Sequence, residues 1–104
     1  MNVFGVVEIT DHIWKNIYPK PIYCIGVIDE NDISEVEPFS DDYLAEVAEI
    51  DFEDFVYEIE NSVGSDMSKV LTYQYISDNG WHRSTDTYFI DKESAQNMAD
   101  FLNG

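Results

Sequence analysis

The chain reads as an α+β fold: a two-layer domain in which a mostly antiparallel, four-stranded sheet is covered by helices. Three observations predict it. Two apolar, β-branched runs lie near the start, at 3–9 and 22–28; capped segments with helical periodicity follow at 41–62; and an Asn79-Gly80 turn joins two alternating runs ahead of a final amphipathic segment. With 104 residues and no internal repeat, one domain spanning 1–104 is expected.

Residues 3–9, Val-Phe-Gly-Val-Val-Glu-Ile, form the first expected strand, in which Gly5 marks a bulge or a close backbone approach. Thr10 or Asp11 is placed to cap a short helix, with Ile13, Trp14, Ile17 and Tyr18 at helical spacing, and Pro19 and Pro21 end it. The run Ile22 to Ile28 is apolar on both faces, which predicts a central strand. Residues 29–40 are rich in acids, Asn and Ser and are expected to be a loop.

Ser40 stands as an N-cap with Asp41 and Asp42 in the first helical turn, where the helix dipole favours negative charge. A second start lies at Asp51, flanked by Ile50 and Phe55 in the two positions of a hydrophobic staple. A break is therefore expected, giving helices of about 41–49 and 52–62; the alternative is one continuous helix with a core stripe through Leu44, Ala48, Phe52, Phe55, Ile59 and Val63. Gly64 closes the region. Lys69–Ile76 and Trp81–Ile90 then make a hairpin about Asn79-Gly80. Asp91 caps the last helix, whose Ala95, Met98, Ala99 and Leu102 form a buried stripe.

Charge is distributed unevenly along this plan. Fifteen of the 22 carboxylates fall between Asp29 and Asp66, and no Lys or Arg lies between Lys20 and Lys69. The ends hold seven acids against five bases, so nearly all of the net charge of −17 belongs to the middle. A hydrophobic content of 44% and an aromatic content of 14% oppose disorder, so the acidic block is expected to be folded. Self-repulsion of that size opposes compaction, which suggests that a partner compensates for it.

The composition also sets aside several functions. Direct nucleic-acid binding and binding to anionic membranes both need a basic footprint. No apolar run approaches a membrane span and the start lacks a signal-peptide pattern, so a cytoplasmic protein is expected. Cys24 is the lone cysteine, within an apolar run, and reads as a small core residue. His12 and His82 have no ligand at zinc spacing. The nearest approach to a calcium loop begins at Asp29 and fails, with Ile33 and Ser34 where a ligand and a glycine belong and Ser40 where a bidentate Glu belongs. With no phosphate loop, nucleophile elbow or dinucleotide fingerprint either, no catalytic, cofactor or metal residue is assigned and no enzyme activity is expected.

What remains is an acidic interaction surface. Its expected members are Asp41, Asp42, Glu46, Glu49, Glu53, Asp54, Glu58 and Glu60, joined by Tyr43 and Tyr57, which lie off the apolar stripe. A helix with an outward acid every three or four residues places a charge about every 5 to 6 Å along one face, and duplex DNA carries one charge per about 1.7 Å counting both strands. Two such helices and an acidic loop approach that density over a short footprint, and tyrosines among carboxylates suit an interface that meets arginines.

In size, charge and this block the chain resembles the small acidic DNA-mimic inhibitors that phages use against restriction enzymes, CRISPR effectors and other nucleic-acid-binding host proteins. The resemblance implies a non-enzymatic inhibitor occupying the basic site of a nuclease, CRISPR effector, restriction enzyme or similar protein in the host cytoplasm. An immunity protein or antitoxin against a nuclease toxin is the alternative with the same physics. An acidic protein without mimicry, or a divalent-cation-binding domain, is the alternative of another class. Whether two copies associate to lengthen the charged face is left open.

Overall fold

β2 organises the sheet. The computed structural model describes residues 3–28, 36–76 and 83–104, and within them the order is β1 (Phe4–Ile9), β2 (Ile22–Ile28), β3 (Val36–Pro38), α1 (Asp41–Ala48), α2 (Phe52–Ser62), β4 (Val70–Ile76), β5 (Arg83–Phe89) and α3 (Lys92–Asn103), with a 3-10 turn at Met67–Lys69 before β4. All strand pairs are antiparallel, in the order β1-β2-β5-β4, with β3 added to β2. β1 lies along the whole of one β2 edge, from Phe4 opposite Val27 to Ile9 opposite Ile22. The other edge is shared: β5 meets it at Tyr23 opposite Phe89, and β3 takes Gly26 to Ile28. The sheet therefore forks, and among the described residues no strand lies on the β2 side of β5 from Arg83 to Tyr88.

The fork corrects the expected sheet, which has five strands among the described residues in place of four. The extra one comes from the expected loop, of which 29–35 lie outside the described residues. Pro38 is tolerated because β3 pairs only with β2, and an edge position does not need the missing N–H. Two facing glycines make room. Gly5 lies opposite Gly26; a Cβ at Gly5 would sit 3.2 Å from the Val36 side chain, and one at Gly26 would run into the Glu37 carbonyl. The close backbone approach expected at Gly5 falls instead at Gly26; Gly5 itself faces only a side chain.

Three helices cover one face of the sheet. α3 lies on β1, β2 and β5, α1 sits beside β5 and β2, and α2 packs on α1 and α3. Period-2 alternation supplies the sheet's share of the core through Phe4, Ile25 and Phe89, and the helices add Leu44, Phe55, Ile59, Val63, Ala95, Met98 and Ala99. Burying each large side chain in this set contributes about 1.5 to 3 kcal/mol. Ala95 and Ala99 are fully buried, so small residues bring α3 close to the strands. At the end of α3, Asn103 accepts from the N–H groups of Val3 (3.1 Å) and Phe4 (2.9 Å) and donates to the Phe4 carbonyl (3.0 Å). It serves the start of β1 as a neighbouring strand would.

The expected break between the first two helices is present, with a defined mechanism. Glu49 adopts a left-handed conformation (φ 59°); its N–H donates to the Glu46 carbonyl and that of Ile50 to the Ala45 carbonyl, the two bonds of a Schellman motif. The same pair closes α2, from Gly64 to Asn61 and from Ser65 to Glu60. Phe55 is buried and Ile50 packs against the same core, as the staple requires. Ser40 and Asp51 occupy the N-cap positions, but neither side chain makes a capping bond. Asp91 does cap α3, accepting from the Ser94 N–H at 3.3 Å.

The helix expected after Thr10 is absent. Residues 13–17 form turns, in which Tyr18 and Ile17 donate to the Trp14 carbonyl at 2.7 and 2.9 Å. Ile13 and Ile17 are 68% and 79% exposed, so the apolar spacing never becomes a buried stripe. Trp14 and Tyr18 alone dock, Trp14 edge-on to Tyr88 and Tyr18 through a 3.3 Å hydrogen bond from its hydroxyl to the Ile90 carbonyl. The Asn79-Gly80 turn and His82 lie outside the described residues. No helix of the described residues is long and apolar enough to cross a membrane.

Candidate partner-binding surface

The apolar stripes decide which carboxylates face out. α1 buries Leu44 and Ala45, which sends Glu46 and Glu49 to the surface and leaves Asp42 half-buried. α2 buries Phe55 and Ile59, so Glu53, Asp54 and Glu60 are exposed and Glu58, which accepts from Asn61 Nδ2 at 3.4 Å, is half-buried. α1 and α2 are separate helices, so Asp42, Glu46 and Glu49 lie on one axis and Glu53 and Glu60 on another, in place of the single ridge that a continuous helix would give. Among the described residues, none of Glu46, Glu49, Glu53, Asp54 or Glu60 is paired with Lys or Arg; Lys15 pairs with Asp11, on the β1–β2 connection.

Aromatic and apolar side chains sit among these acids. Tyr57 is 62% exposed and Tyr43 is also exposed, its ring 4.5 Å from that of Phe39, as their positions off the stripe predict. Phe52 and Val56 are exposed as well, and the sequence reading did not assign them to the surface. Phe52 falls on the core stripe only if the helix runs through. The break at Glu49 makes it the first residue of α2, stacked beside Phe55 with ring centroids 6.5 Å apart and partly in solvent. Exposed aromatic and apolar side chains bordered by polar ones are the usual composition of a protein interface.

Asp41 does not belong to this surface, which is a correction. It is only 3% exposed, and its Oδ2 accepts from the Thr87 hydroxyl at 2.5 Å. Asp41 therefore supplies an acceptor to β5 on the side where, among the described residues, no strand lies beside Thr87. Burial pushes the Asp41 carboxyl up to about 7, against the opposing effect of the hydrogen bond from Thr87. A buried acid in the first turn of a helix reads like an exposed one, and nothing local in the sequence separates the two.

The sheet face opposite the helices carries Cys24, Asp86 and Tyr88. Cys24 is buried, as expected of a core residue, and burial pushes its thiol up to about 12, far from the range of a reactive thiolate. Asp86 and Tyr88 stand between two hollows of about 350 and 410 Å³, one bounded by Pro38 and Phe39 and the other by Ile13 and Trp14. Burial raises the Asp86 carboxyl above its ordinary value. His12 Nε2 lies 3.0 Å from the Lys20 carbonyl, which ties that imidazole to the backbone. Among the described residues, no three His, Cys, Asp or Glu side chains group to hold a metal ion.

Compared with family models, with curated proteins and with solved structures, the chain finds no match in any of the three.

Proposed function

We propose that this protein is a non-enzymatic inhibitor that uses the outward sides of α1 and α2 to occupy the basic nucleic-acid-binding site of another protein. One observation carries the reading: among the described residues Glu46, Glu49, Glu53, Asp54 and Glu60 are exposed without a basic partner, and Tyr43, Phe52 and Tyr57 are exposed on the same two helices. Carboxylates held on packed helices are fixed charges, and a groove of Lys and Arg that recognises phosphates accepts such an array in place of its substrate. Long-range attraction speeds encounter, and desolvated carboxylate-to-arginine pairs slow release. The apolar centre supplies what a nucleic-acid backbone lacks, a patch that excludes water from those pairs.

Targets of this kind include restriction enzymes, CRISPR effectors and other DNA-handling proteins, which would make the protein a phage counter-defence factor. A nuclease toxin has the same basic site, and against it the protein would be an immunity protein or antitoxin. Replacing Glu46, Glu49 and Glu53 together by Lys tests the surface itself. The triple variant should keep its circular-dichroism spectrum and lose binding to the basic partner; binding that survives the reversal removes α1 and α2 from the interface.

A further inference from the structure

We infer that the sheet face opposite the helices holds a slot for an arginine side chain of a basic protein partner, centred on Asp86 and walled by Tyr88 and Trp14. Asp86 and Tyr88 alternate along β5 with Thr87 and Phe89, which are buried on the helix side, so both project onto the other face. Both line the two hollows that meet there, which gives the carboxylate an open approach from two directions. The rings of Trp14 and Tyr88 are 5.1 Å apart at 62°, so two aromatic surfaces stand beside one carboxylate.

Charge selects the ligand. Among the described residues Asp86 has no Lys or Arg partner, while the other acid of the larger hollow, Asp11, is neutralised by Lys15, whose hydrogen bond holds that carboxyl below its ordinary value. A net charge of −17 repels anions, and a neutral apolar occupant would leave Asp86 unpaired away from water. A guanidinium resolves both. Its fork meets a carboxylate with two parallel hydrogen bonds, and its flat face lies on an aromatic ring, which an ammonium does less well. The inference rests on the proposed function only for the source of the arginine, a basic protein.

The full chain, isotope-labelled, is titrated at physiological ionic strength with Nα-acetyl-arginine amide, its uncharged citrulline analogue and free arginine, following the Trp14 indole and the amides of Asp86 and Tyr88. The blocked arginine should give saturable shifts centred on these groups, and the citrulline analogue should bind about tenfold more weakly. Asp86→Asn should abolish that preference, whereas the Glu46, Glu49 and Glu53 reversal should change it by no more than about twofold, since those charges act through screened solvent. Shifts centred on α1 and α2, equal binding by Asp86→Asn, or no saturation would each overturn the slot and leave the helix surface to its own test. Free arginine binding more tightly than the blocked form would overturn the protein source, because an arginine within a chain has neither the free α-ammonium nor the free carboxylate that the site would then be recognising.

Discussion

The Thr87 hydroxyl donates to Asp41 Oδ2 at 2.5 Å, joining the first turn of α1 to β5 beneath the protein surface. Burial holds the Asp41 carboxyl at about 7, against an ordinary value of 3.8. Between those values the folded protein retains a proton that the unfolded chain releases, so the stability contributed by this group falls as pH rises through that window and levels off above it. Asp41→Asn keeps an acceptor for Thr87 and cannot ionise. It should stabilise the fold at about pH 8 by roughly 1 to 3 kcal/mol and do little at about pH 4. Urea denaturation of both proteins at the two pH values checks this, since the other carboxylates cancel in the difference.

Gly26 faces the β3 backbone so closely that a methyl group would meet the Glu37 carbonyl, whereas one at Gly5 meets only the Val36 side chain. Gly26→Ala should therefore destabilise by about 2 kcal/mol or more, and Gly5→Ala by less, because a side chain yields where a backbone does not. Thermal unfolding of the two variants measures the order.

Glu49 ends α1 in a left-handed conformation that costs a non-glycine residue about 1 kcal/mol. Glu49→Gly should raise stability by about that amount while removing one exposed carboxylate from the proposed interface. The expected signature is a higher unfolding midpoint together with weaker partner binding.

Asn103→Ala removes an acceptor shared by the Val3 and Phe4 N–H groups and the donor to the Phe4 carbonyl. A loss of about 1 to 3 kcal/mol is expected, with hydrogen exchange accelerating at the start of β1.

Much of this architecture is legible in local sequence. β2 runs from Ile22 to Ile28 as its unbroken apolar character predicts, and the second start signal at Asp51, with Ile50 and Phe55 around it, correctly marks two helices. Reading fails where the deciding partner is distant. Asp41 is buried because of Thr87, 46 residues away, and Val36–Pro38 becomes a strand because two glycines on other strands leave room for it. Ile13 and Ile17 mislead for the opposite reason: their spacing is helical, but among the described residues no element covers them. Of the ten residues predicted for the surface, Asp41 leaves it; Phe52, which the continuous-helix alternative places in the core stripe, and Val56, unassigned in the sequence, join those exposed there.

Competition tests the central claim most directly. Once a salt-sensitive basic partner is isolated, the protein and a nucleic acid that the partner binds are offered to it together. Mutually exclusive binding is predicted, with nucleic acid displacing the wild-type protein and the Glu46, Glu49 and Glu53 reversal failing to compete. A ternary complex in which the partner holds nucleic acid and this protein at once would contradict the account.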